Sequence, residues 1–130
     1  MSGCNYVSVP AIAGVLESHP NIRRWSLLEF APLGDGYASR EKYALTSDVF
    51  WDTVRQASQN VNGLFEVDGF GNSAKPGTYA LVTPSARLYG TESAQGQLGH
   101  RFVGNVLTDH LSDLAENLPF DRVRHEARYG

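Results

Sequence analysis

One cysteine, one methionine and two lysines, Lys42 and Lys75, are all that this chain of 130 residues has of those types. A lone thiol, Cys4, cannot close an internal disulfide, so the fold is expected to stand on packing alone and to suit a reducing cytoplasm. Charge is scarce too. At 19% against the roughly one quarter usual in globular domains, much of the surface must be neutral, which suits a protein that packs against a partner. The formal net charge of -3 argues against non-specific duplex nucleic-acid binding, which needs a basic surface to displace counterions. No apolar run approaches the roughly 20 residues needed to cross a bilayer. Val7 to Leu16 resembles the apolar core of a signal peptide, but no basic residue precedes it and Pro10 interrupts it, so the chain is expected to be soluble and unexported. The four histidines, His19, His100, His110 and His125, never reach ligand spacing with a cysteine or carboxylate, so neither a metal nor a cofactor is expected. The Gly-x-Gly of Asp68-Gly69-Phe70-Gly71-Asn72 opens no helix and therefore lacks the phosphate-cradling geometry of a dinucleotide site.

What is present is enough for one ordinary core, with 42% hydrophobic and 11% aromatic residues. The expectation is a single α+β domain over 1–119 and a flexible or partner-ordered tail over 120–130. Ser8 and Pro10 mark a helix start and His19-Pro20 its end. Ile22 to Phe30 reads as a strand, and after the Pro/Gly loop Ala31 to Ser39, Arg40 to Leu45 reads as a second. The clearest helix starts at Ser47, recurs along Phe50, Val54, Ala57 and Val61, and stops at Asn62-Gly63. Leu64 to Gly90 places two β-rich runs around a Gly/Asn/Pro turn and predicts a long β-hairpin, with a short strand at Arg87 to Tyr89. Val103, Val106, Leu107, Leu111, Leu114 and Leu118 then fall at helical spacing, predicting one helix over Leu98 to Leu118. With Tyr6 to Val9 as an edge strand, the order fits an antiparallel or mixed, ferredoxin-like sheet with two main helices.

Phe70, Asn72 and Lys75 sit at the hairpin turn and are candidates for a contact tip, with folding of the turn back onto the sheet as the other reading. Arg122, Arg124 and Arg128, with His125, make a small basic tail suited to an acidic partner or a phosphate, and Arg23-Arg24-Trp25 a second basic spot. His110 falls inside the predicted apolar stripe, where a hydrogen-bonded core or interface histidine is the plain reading.

The run Tyr79-Ala80-Leu81-Val82-Thr83-Pro84-Ser85-Ala86-Arg87-Leu88-Tyr89-Gly90-Thr91 resembles the central strand pair of bacterial guanyl-specific ribonucleases. There, Tyr-x-Val-Ile-Thr-Pro-Gly-Ala-Arg-x-x-Gly-Thr carries a phosphate-binding arginine. Thr108-Asp109-His110 is similar to the Asp-His that bears their general acid. The resemblance implies Arg87 to hold a scissile phosphate and His110 to protonate the leaving oxygen. The family's base, a glutamate directly before the tyrosine, is Thr78 here, which leaves the role to Glu66 if the facing arm brings it within reach.

Low charge, scattered titratable groups and exposed aromatics favour a non-catalytic protein that binds or assembles with another protein or with itself. A particle subunit, an inhibitor and an adaptor all fit; membranes and nucleic acid do not. The alternative is the ribonuclease, with Glu66, Arg87 and His110 converging on one cleft.

Overall fold

A computed structural model describes residues 8–130. They fold as α+β, in two compact units, one running to Gly71 and one covering Asn72–Gly130.

In the first unit, α1 (Val9–Glu17) carries Pro10 in its first turn, where a missing N–H costs nothing, and buries Val9 and Ala13. It packs on α3 (Ser47–Val61), whose buried Phe50, Val54, Ala57 and Val61 are the predicted stripe. The cap is Thr46, not Ser47: its hydroxyl accepts from the Val49 N–H, and Asn62 ends the helix in the left-handed region. Between them lie β1 (Arg24–Leu28), a 3-10 helix at Gly34–Ser39, and α2 (Arg40–Tyr43). The second strand expected from Arg40 is thus a helical turn. The Arg40 guanidinium donates to the Tyr37 carbonyl and stacks 3.9 Å from the Tyr37 ring, contacts that fold the segment on itself.

β1 takes a different partner. β2 (Glu66–Phe70) lies parallel to it, Arg24 opposite Glu66 and Leu28 opposite Phe70, in a two-stranded sheet. The hairpin expected over Leu64 to Gly90 is therefore absent: β2 pairs backwards in sequence, and β3 (Ala80–Val82) pairs antiparallel with β4 (Arg87–Ala94).

In the second unit, β4 also pairs with β5 (Gln97–Asn105), giving an antiparallel sheet ordered β3-β4-β5. Two separate sheets replace the single ferredoxin-like one. The helix expected over Leu98 to Leu118 is likewise corrected, since its first half is β5 and only α4 (Leu111–Asn117) is helical. Gln95 and Gly96 both have positive φ, 53° and 77°, the geometry of a two-residue hairpin turn, and they commit the following residues to the sheet. Gly104 then allows close approach, because a Cβ there would sit 2.5 Å from Asp109 Oδ2 and 2.6 Å from Leu114 Cδ2. The tail expected to be loose is α5 (Arg122–Tyr129), capped by Asp121, whose carboxylate accepts from the Arg124 N–H. Tyr6 and Val7 of the expected edge strand lie outside the described residues, and Val9 opens α1.

A buried polar knot ties this unit together. The Lys75 carbonyl accepts from the Thr78 hydroxyl at 2.7 Å and the Thr91 hydroxyl at 3.3 Å, while Thr91 also reaches the Tyr79 carbonyl at 3.1 Å. His125 Nδ1 lies 2.8 Å from the Thr78 carbonyl, which can only accept, so the proton is on Nδ1. Thr91→Val keeps the shape and strands the Tyr79 carbonyl without that donor. A loss of about 1–2 kcal/mol in denaturant unfolding is expected.

Candidate functional site

Arg87 and His110 belong to the same unit and to the same end of its sheet. Arg87 opens β4 opposite Asn105, the last residue of β5, and the Val106 N–H donates to the Ala86 carbonyl at 2.9 Å. The loop leading to His110 therefore starts beside Arg87. It is tightly organised: Asp109 Oδ2 accepts from the Asn105 N–H at 2.8 Å, and Asn105 Oδ1 accepts from the Leu107 N–H at 2.8 Å. His110 then stands immediately before α4, not within a helical stripe. It lines a recess of about 300 Å³ together with Asp109, Asp113, Asn117 and the apolar Val103 and Leu114. No ion pair among the described residues engages Arg87.

The third expected partner belongs to the other unit. Glu66 begins β2 in the first unit, where its carboxylate accepts from Arg24 Nε and Nη2 at 3.2 and 3.0 Å. That hydrogen bond, then the charge of the same carboxylate, raises the Arg24 pKa above its usual value. Thr78, in the position of the ribonuclease glutamate, is buried and spends its hydroxyl proton on Lys75. The described carboxylates nearest His110 in sequence are Asp109, committed to the turn, and Asp113.

The proposed contact tip is also revised. Phe70 and Lys75 are each only 6% exposed, so neither presents itself to a partner, and the Lys75 ammonium donates to Asn72 Oδ1 at 2.7 Å. The basic tail is internally engaged. Arg122 pairs with Glu126 at 2.6 Å, Arg124 with Asp121 and the Ser73 carbonyl, and Arg128 stacks near Tyr129.

What sequence reading passed over is a set of open apolar side chains on the second unit. Leu81, Tyr89 and Phe102 stand opposite one another across all three strands, hence on one face, with the Tyr89 and Phe102 rings edge-on at 5.5 Å. His100, opposite Thr91, extends that face, and burial lowers its pKa from the ordinary imidazole value. Phe102 is 56% exposed. Around the His110 recess, Leu107 and Leu111 are 83% and 80% exposed, and Phe120, Val123 and Tyr129 lie open near the chain end. In this unit Leu114 is the one hydrophobic side chain that is fully buried.

Among the described residues, no group of three His, Cys, Asp or Glu side chains is placed to hold a metal ion, and no helix is long and apolar enough to cross a membrane. No protein-family model, curated protein or solved structure matches the chain.

Proposed function

We propose that this chain is an interaction protein that assembles with a second copy of itself through the apolar surface of its second unit. The observation that carries the reading is the imbalance there: among large hydrophobic side chains only Leu114 is buried, while others on the sheet, in the His110 loop and near the chain end face water. Apolar area left open in this way is stabilised by covering, at roughly 25 cal/mol per Å². Closed homo-oligomers are the common solution for a soluble chain with such a surface. Light scattering across a hundredfold concentration range is the test. A defined multimer that dissociates on dilution is expected, and a strict monomer throughout contradicts it.

A second reading, RNA cleavage by acid-base chemistry, is favoured by one observation, the placement of Arg87 and His110 at one end of one sheet. Arginine would hold the phosphate and histidine protonate the leaving oxygen, but the expected base, Glu66, is paired with Arg24, and Thr78, in the place of the family's glutamate, is consumed. With the assembly reading, RNA incubated with the purified chain stays intact, and Arg87→Ala and His110→Ala change nothing. Cleavage that falls at least a hundredfold in both variants would transfer the site to catalysis.

A further inference from the structure

The first unit contains a cavity of about 350 Å³ lined by no charged residue. Its floor is buried: Val9 and Phe50 are closed to solvent, and so is Thr53, whose hydroxyl proton goes to the Val49 carbonyl at 2.8 Å. Its walls are aromatic, with Trp25 from β1, Phe30 just beyond it and Tyr43 from α2; the Phe30 and Tyr43 rings stand 5.8 Å apart at 56°. Its mouth is marked by Ile12 and Leu28, which are exposed. Four separate pieces of chain converge on it, α1, β1, α2 and α3, so it is a concavity of the fold and not a furrow along one element.

We propose that this cavity binds a neutral aromatic small molecule of about two fused rings, the size at which a pocket of this class encloses most of a ligand. The lining decides the chemistry. A charged ligand would lose its hydration with no opposite charge among the lining side chains to replace it. An aromatic one meets Trp25, Phe30, Tyr43 and Phe50 in the edge-to-face arrangements that rings favour. The Thr53 oxygen, its proton already donated, is left as an acceptor for one ligand hydroxyl. This site lies wholly in the first unit and does not depend on the assembly reading.

The two tryptophans give an internal control. Trp25 lines the cavity, whereas Trp51 packs over Gly69 and Gly71 of the β2 end. With the full chain labelled with nitrogen-15 and the two indole N–H signals assigned through Trp51→Phe, 2-naphthol is titrated in. The expected result is a saturable shift of the Trp25 signal that exceeds the Trp51 shift severalfold. The anionic analogue 2-naphthalenesulfonate is expected to bind at least tenfold more weakly, and Ile12→Phe, which narrows the mouth at an exposed position, to weaken 2-naphthol at least tenfold. Equal and unsaturable shifts of both indoles overturn the proposal. So does tight 2-naphthol binding that Ile12→Phe leaves unchanged, because the probe then sits elsewhere, and preference for the sulfonate refutes the neutral-ligand assignment.

Discussion

Gly77→Ala is expected to lower the stability of the second unit by about 3 kcal/mol or more, read as a fall of at least about 10 °C in its thermal midpoint. Two effects add. Gly77 sits at φ +76°, which costs a residue with a Cβ about 1 kcal/mol or more. The new Cβ would also lie 2.8 Å from both the Asp121 backbone nitrogen and its Cβ. Relief of that clash must break the bonds that fix the loop, Gly77 N–H to the Thr91 carbonyl at 2.8 Å and Asp121 N–H to the Gly77 carbonyl at 2.9 Å. With them goes the start of α5, since Asp121 is its cap. Gly96→Ala separates the two effects. Its φ is almost the same, +77°, yet nothing lies within 4 Å of the added atom, so only the conformational cost of about 1 kcal/mol is expected. Equal losses in the two variants would remove the Asp121 contact from the account.

Replacement of both Leu107 and Leu111 by aspartate is expected to weaken association a thousandfold or more while leaving the dissociated chain as stable as before, within about 1 kcal/mol. The two side chains flank His110 and are almost fully exposed, so in an isolated chain the change removes little packing. In a covered interface each carboxylate would be desolvated without a partner, a cost of several kcal/mol per buried charge. Analytical ultracentrifugation gives the association constant, and thermal unfolding at high dilution gives the stability. Val15→Asp, at an exposed position on α1 of the first unit, is the control that should leave association intact. Loss of association in the control as well would move the interface off the second unit.

The elements that were legible are those whose signal is local. α1 and α3 combine an apolar stripe with terminal residues suited to capping or stopping a helix, and both form within a residue or two of the expected bounds. The strand Arg24–Leu28 is equally plain, but its partner is not. Parallel pairing joins residues 42 apart, as Arg24 and Glu66 show, and no turn chemistry announces a connection of that length. The hairpin reading failed because two β-rich runs around a glycine-rich turn look alike whether they pair with each other or with outside strands.

The error at Leu98 to Leu118 has a different cause. Val103, Val106 and Leu107 have helical spacing by coincidence, but Val103 lies in β5 and the other two in the loop, where Leu107 faces water. Gln95-Gly96 before them was the readable warning, a two-residue turn of the kind that joins the strands of a hairpin. At the site, Arg87 and His110 were named in advance through a local resemblance, and both lie at one end of one sheet. The exposed row Leu81, Tyr89, Phe102 was not foreseeable without the strand register, because only pairing across three strands places those residues on one face.

The proposed assembly requires that the open apolar side chains of the second unit be covered by another copy of the chain. Hydroxyl-radical footprinting, read residue by residue by mass spectrometry, measures that covering most directly. It should be run on one sample at high concentration and after hundredfold dilution. Leu107, Leu111 and Phe102 are expected to be protected at high concentration and to label severalfold faster on dilution, while Leu64, exposed in the first unit, labels equally in both. Unchanged labelling of all four residues would contradict the proposed assembly.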